Sequence, residues 1–515
     1  FLGFPEKKYI RSTGIWEIPI NVNNISYLTS NFELGEYYID EATSLHIKLH
    51  ELTEKQKELR EKRRYEYLFN NKYTCKIPSN IKFGTKGFKH QLVGLESIHN
   101  AEYFALLMEM GTGKTKVIID ECLWRIQEEP NRRFWVLIIA PKTICYNWQR
   151  EFKKHMPEGI EYNWIRLRRE EGLIDDISLC IKQPAKLKIF TINYDALRNG
   201  ANLMALQLIK PDLCVLDEST SIKNPSAQKT KAIFELAEVC KRRIILTGTP
   251  SPNNVLDLWA QYNFLKPGCL GVTAFKTFKQ SYAIIEGRYD QVVGVRNFDE
   301  LKKRMAACSF IVKKDQCLDL PPKSYSVHSV EMGAKQREIY NKMLHEFIVD
   351  LDSGAITEAT VIIVQLLRLA QICNGFLRTV DGQTLPIEDG DVKIKALEEV
   401  FEEIPTENKV LIWARFKEDI SRISKFCEFN NHRYRVINGE VKEEDRIKAQ
   451  DDFNSLPTQS LKVIIGEPGT GGLGLTLLGT PTYPCTTVIY YSNDFSLLKR
   501  LQSEDRAHRF GQTKP

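Results

Sequence analysis

The stretch Phe104-Ala-Leu-Leu-Met-Glu-Met-Gly-Thr-Gly-Lys-Thr115 decides the fold. It opens as a continuous apolar run and ends on Gly111, Gly113, Lys114 and Thr115, with Met110 and Thr112 interspersed. From Lys114 onward, Val117, Ile118, Cys122, Leu123 and Ile126 recur at helical spacing, and Pro130 follows the end. A buried strand, a glycine loop and a helix start therefore follow one another. That order has chemical meaning, because the free N–H groups of a helix N-terminus and its dipole converge on one anion. Gly111 and Gly113 would let the backbone come close to phosphates. Lys114 would reach the β- and γ-phosphates, and Thr115 would be a ligand of Mg2+. The full glycine-rich pattern has a further glycine where this chain has Met108. Gly-Lys-Thr after a strand is also compatible with an ordinary turn, so the neighbouring segments must decide.

Leu213-Cys-Val-Leu-Asp-Glu218 ends a second apolar run on two adjacent acids. At the carboxyl edge of a parallel sheet, beside a phosphate loop, such a pair suits a metal ion and an attacking water. Asp217 would hold the metal, and Glu218 would orient or deprotonate the water. The competing reading is a helix start, since Asp-Glu-Ser-Thr is also a capping pattern. Arg243-Ile-Ile-Leu-Thr-Gly-Thr-Pro250 is a third run, ending in small hydroxyl residues. Thr247 and Thr249 are candidates for relaying nucleotide state; a tight turn explains them equally well.

Outward from these segments, short apolar runs alternate with amphipathic stretches. Strands are expected at Tyr103–Met108, Phe134–Ile139, Leu187–Thr191, Leu213–Leu216 and Arg243–Leu246. A second series is expected at Lys409–Trp413, Arg433–Ile437, Leu461–Ile465 and Thr487–Tyr491. Continuous apolar strands separated by helices mark parallel sheets covered on both faces. The expected fold class is therefore α/β, with two parallel-sheet lobes. The first lobe spans residues 81–265 and the second residues 392–515. Between them, residues 266–391 are rich in helix formers, as in Ala334–Asp350 and Thr360–Cys373, and read as a mostly helical insertion and linker. Residues 1–80 form a small N-terminal extension, with a strand at Ile15–Ile20 and a charged, solvated helix over Thr53–Phe69.

Composition narrows the class. With 515 residues, 43% hydrophobic and 27% charged, the chain is neither disordered nor a single core. No apolar run is long enough to span a membrane. A net charge of +6 permits a polyanionic partner without demanding one. None of the twelve cysteines falls in a C-x-x-C spacing, so zinc ribbons and thioredoxin-type sites are not expected, and reduced thiols inside a cell are. The chain opens on Phe1 with no signal-like segment and reads as an excerpt of a longer protein.

Three such segments in this order, followed by a second lobe, resemble the SWI/SNF-type branch of superfamily-two helicases. The resemblance extends over residues 85–515. Ile139-Ala-Pro-Lys-Thr-Ile-Cys-Tyr-Asn-Trp-Gln-Arg-Glu-Phe152 is similar to that family's second motif and its helix. Ile222-Lys-Asn-Pro225, Asn253-Asn254 before Leu258-Trp259, Phe264-Leu265 and Gln365-Leu-Leu-Arg-Leu-Ala-Gln-Ile-Cys-Asn374 are similar to further family segments. The most specific is Gln502-Ser-Glu-Asp-Arg-Ala-His-Arg-Phe-Gly-Gln512.

The resemblance implies two RecA-like lobes of the P-loop NTPase class, ATP and Mg2+ as cofactors, and duplex DNA lying across both lobes. By motif, Gln91 in Phe88-Lys-His-Gln91 would read adenine, and Met110 to Thr115 would form the nucleotide loop. Arg506 and Arg509 would serve as arginine fingers from the second lobe, with Gln502 placing them. Three residues apart, the two arginines would share one face of a helix. DNA phosphates would be gripped by Lys142, Thr143, Gly439, Gly471, Gly472 and Thr476, the last three lying before an expected helix start. The family usually has His where this chain has Thr220, arginines at Lys313-Lys314, and a tryptophan-containing segment at Asp494-Phe-Ser. The connection Thr480-Pro-Thr-Tyr-Pro484 is lengthened.

The implied function is an ATP-dependent double-stranded DNA translocase that remodels protein–DNA complexes or branched DNA. A strand-separating helicase is the alternative within enzymes, and a non-hydrolysing nucleic-acid scaffold the alternative outside them. Few insertions favour a viral or bacterial repair motor. Its location would be intracellular: the cytoplasm or nucleoid if bacterial or viral, the nucleus if eukaryotic.

Overall fold

The computed structural model describes residues 8–10, 15–17, 75–167, 173–251, 253–287, 291–352, 359–379, 381–471, 474–509 and 511–512. The helix expected over Thr53–Phe69 lies outside them. Two short strands, β1 (Lys8–Ile10) and β2 (Ile15–Glu17), pair antiparallel near the N-terminus.

The chain divides into two compact units, the first running to Cys317 apart from Met110–Thr112, which group with the second, from Leu318 onward. In chain order the first contains β3 (Tyr103–Met108), β4 (Phe134–Ala140), β5 (Tyr162–Arg166), β6 (Leu187–Asn193), β7 (Leu213–Asp217) and β8 (Arg242–Leu246). After an antiparallel pair, β9 (Ala283–Glu286) and β10 (Gln291–Val295), comes β11 (Ser309–Val312). Seven strands form one parallel sheet in the order β11-β3-β8-β7-β4-β6-β5. Its central strands are mostly apolar, because helices cover both faces, with charged residues such as Arg242, Arg243 and Asp217 at strand ends. Ala105 and Leu107 enter the core on one face, and Phe104, Leu106 and Met108 enter the core on the other.

Register brings the three decisive segments to one edge. Leu246 lies opposite Leu106 on one side and Asp217 on the other. The strand ends preceding the glycine loop, Thr247 and Glu218 are therefore in step.

The second unit holds an antiparallel pair, β12 (Phe376–Arg378) and β13 (Thr384–Pro386), beside the helices Ala334–Asp352 and Ala359–Cys373. It also contains β14 (Lys409–Trp413), β15 (Tyr434–Ile437), β16 (Val463–Gly466) and β17 (Cys485–Tyr490). These four form a parallel sheet in the order β15-β16-β14-β17. Val410 and Ile412 pack into one core, Leu411 and Trp413 into another.

Two expectations about organisation differ from the structure. The first sheet is not complete at residue 265, because Ser309–Val312 pairs with Ala105–Met108 and carries that unit on to Cys317. A four-residue strand inside a helix-rich stretch has too little periodicity to be read locally. The segment Gly471–Thr476 does not lead into a helix: a helical turn, Pro468–Gly471, opens it, and the described residues 474–484 before β17 are non-helical. No helix among the described residues is long and apolar enough to cross a membrane. All twelve cysteines are free thiols.

Candidate nucleotide site

The chain leaves β3 at Met108 and turns through Glu109 to Gly113 before the helix Lys114–Glu128 begins. Gly111 and Gly113 have φ of 81° and 89°, a region that a Cβ disfavours. At Gly113 a Cβ would also collide with Nε2 of Gln91. Gln91 is thus packed against the last glycine of the loop, and its Oε1 accepts a hydrogen bond from the Phe88 N–H at 3.0 Å. The Phe88 ring is exposed and stacks on His90 with centroids 5.9 Å apart. Lys114, the first residue of the helix, donates its ammonium to the Met108 carbonyl at 2.8 Å and to the Glu109 carbonyl at 3.4 Å. Thr115 follows in the first helical turn.

Asp217 closes β7 and is held on three sides. Its Oδ2 accepts from Trp148 Nε1 at 2.8 Å, its Oδ1 from the Glu218 N–H at 3.0 Å, and its carbonyl from the Tyr194 hydroxyl at 2.8 Å. Burial raises its pKa, and the Lys114 charge, the Trp148 bond and the Glu218 N–H only partly offset that. Glu218 has φ of 50°, strained for a residue with a side chain, and such strain concentrates at functional turns. The structure therefore brings Gln91, Gly113, Lys114, Asp217 and Glu218 to one sheet edge. Trp148 and Tyr194 escaped the sequence reading as partners of Asp217. Trp148 stood inside a quoted motif, but Tyr194 carried no signal.

In the second unit the helix Leu497–Glu504 ends before the arginines, so Arg506 and Arg509 lie in the turns that follow and not on a shared helical face. Arg506 donates to the Gln502 carbonyl at 3.0 Å and to the Leu475 carbonyl at 3.1 Å. Arg509 donates to Thr476 Oγ1 at 2.6 Å. Thr476, expected as a phosphate contact, is thereby a partner of the arginine segment. Its own N–H binds Gln450 Oε1 at 2.9 Å. Glu504 accepts from Arg500 at 2.9 Å, Lys323 at 3.0 Å and Tyr325 at 2.9 Å. Burial pushes this carboxyl up, but those donors outweigh it and hold it low.

The remaining expected phosphate contacts are spread over both sheets. Lys142 and Thr143 open the helix Lys142–His155 after β4. Gly439 lies in the turn after β15, where Asn438 Oδ1 accepts from the N–H groups of Glu440 and Val441. Gly471 ends the helical turn after β16, and Gly472 lies outside the described residues.

A strand, glycine loop and helix, with an acid-tipped strand across one intervening strand of the same parallel sheet, define a P-loop NTPase lobe, and a second parallel-sheet unit follows it. The chain belongs to the SNF2-related domain family, whose model matches residues 97–376; the helicase conserved C-terminal domain model matches residues 392–511. The TATA-binding protein-associated factor MOT1 of Saccharomyces cerevisiae is 27% identical, over 85% of this chain and 26% of its own length. The ISWI chromatin-remodeling complex ATPase ISW2 of the same organism is 28% identical, over 86% of this chain and 39% of its own. An uncharacterized ATP-dependent helicase of Mycoplasma genitalium is 26% identical, over 79% and 36%. The chain thus spans well under half the length of these relatives. The solved SWI2/SNF2 ATPase core of Sulfolobus solfataricus in complex with dsDNA aligns over 86% of this chain and 88% of its own at 23% identity, with a TM-score of 0.42.

Proposed function

We propose that this chain hydrolyses ATP under stimulation by duplex DNA and uses the cycle to translocate on DNA, remodelling protein–DNA complexes or branched DNA. The observation that carries the ATPase reading is Lys114 and Asp217 at one sheet edge, with the strained Glu218 beside them. Family membership, and relatives named as chromatin-remodeling ATPases, support DNA as the partner.

Each residue has work that its surroundings suit. Gln91, pressed against Gly113, would accept and donate to the adenine edge. The loop N–H groups and the helix N-terminus would bind phosphate oxygens, and Lys114 would exchange its carbonyl partners for them. Asp217 and Thr115 fit a divalent cation, because a buried carboxylate with a raised pKa gains most from a nearby positive charge. Mg2+, when bound, would neutralise charge on the phosphates. Glu218 would orient the attacking water and take its proton. Arg506 and Arg509 would supply guanidinium charge to the transferred phosphoryl group.

Lys114→Ala tests the reading. Removing one charge-stabilising donor should lower ATP turnover by about 10² to 10³. A folded variant that retains most wild-type turnover would show that this loop is not the nucleotide site.

A further inference from the structure

The geometry points to Gln261 as a positioning residue that ties the turn after Glu218 to the loop after β8, so that the two segments move together during hydrolysis. This rests on the ATPase reading above and assigns a residue outside the nucleotide-contacting set. Gln261 lies on the helix Asp257–Leu265 and is fully buried, as is Ser219, the residue after Glu218. Ser219 Oγ donates to Gln261 Oε1 at 2.7 Å. The amide nitrogen of Gln261 donates to the Pro250 carbonyl at 2.6 Å and to the Asp257 carbonyl at 2.7 Å.

The orientation of this chain of bonds is fixed by chemistry. Backbone carbonyls only accept, so the NH2 of the amide must face Pro250 and Asp257 and its oxygen must face Ser219. The hydroxyl is then the donor. One side chain therefore links the residue after Glu218 to the last residue of the Thr247–Pro250 segment. That segment is itself braced, since Thr247 Oγ1 accepts from the Thr249 N–H at 3.2 Å. Asp257 adds a second tie through its Oδ2, which accepts from the Asn253 N–H at 2.9 Å.

A buried amide is costly, and its cost is offset only when its bonds are made. An apolar residue would fill the same space with no such demand. A fully satisfied polar contact instead fixes one relative position of the two segments and resists others. Any displacement at Pro250 is thus transmitted to Ser219, one residue from Glu218.

The test separates positioning from packing. Gln261→Leu should lower both the melting temperature and kcat, because it orphans the Ser219 hydroxyl. Ser219→Ala with Gln261→Leu removes both ends of the Ser219–Gln261 bond and should recover part of the melting temperature, the Pro250 carbonyl still lacking the Gln261 donor. Its DNA-stimulated kcat should nevertheless stay about tenfold below wild type, with KM for ATP within about twofold. Ser219→Ala alone, which leaves Gln261 bound to Pro250 but takes the donor from its Oε1, should show the same kcat defect with only a modest loss of melting temperature. A double variant that regains wild-type kcat along with its stability would overturn the inference, as would a defect confined to KM. Lys114→Ala run in parallel distinguishes the levels. If it hydrolyses ATP like wild type, the ATPase reading fails; if it is inactive while both Ser219→Ala proteins match wild type, only the role of Gln261 fails.

Discussion

At Asp217 the consequences of burial are most direct. Its carboxyl is pushed up by desolvation and held partly down by Lys114, by Trp148 and by the Glu218 N–H. Trp148→Phe keeps an aromatic side chain but loses the indole N–H that donates to Asp217, so the pKa should rise further. Catalysis needs the ionised form, so the acid limb of the kcat/KM profile should move to higher pH. Superimposable profiles would mean that Trp148 does not govern Asp217. Glu218→Gln tests the neighbouring acid differently. The amide preserves size in the strained turn but cannot take a proton, so ATP binding should persist in filter or fluorescence titrations while turnover falls by about 10² or more. Loss of binding instead would remove Glu218 from the role of base.

At the scale of elements, the arginine segment is a built substructure and not a surface helix. Gln502, Leu475, Thr476, Lys323 and Tyr325 hold Gln502–Arg509 through carbonyls, a hydroxyl and the Glu504 cluster. Arg509→Lys keeps the charge but loses the planar fork. The DNA-stimulated rate should fall by about 10³ or more, in the range of arginine fingers, with ATP affinity changed far less. A wild-type stimulated rate in Arg509→Lys would exclude the finger. The sequence was legible here in part only. Gln502, Arg506 and Arg509 stand out through the resemblance, but Arg506 and Arg509 do not share a helical face, because spacing cannot reveal that the helix ends at Glu504. Nor could it reveal that Thr476 bonds to Arg509, since that contact joins segments 33 residues apart.

For the whole molecule, the continuous apolar runs made five of the seven strands of the first parallel sheet and all four of the second readable, missing β5 and β11, and the glycine loop with the acid pair made one sheet edge readable. Long-range pairing stayed hidden. Ser309–Val312 joins β3 across 204 residues, and the Ser219–Gln261 bond gives neither partner a local pattern. The central claim is nonetheless a property of the whole chain, a nucleotide cycle coupled to duplex DNA. It is tested most directly by steady-state ATP turnover without nucleic acid, with single-stranded DNA and with duplex DNA, at low and moderate salt. The account predicts that duplex stimulates more than single strand, and that raising the salt weakens the stimulation steeply because phosphate contacts release counterions. Turnover that is the same in all three conditions would contradict it.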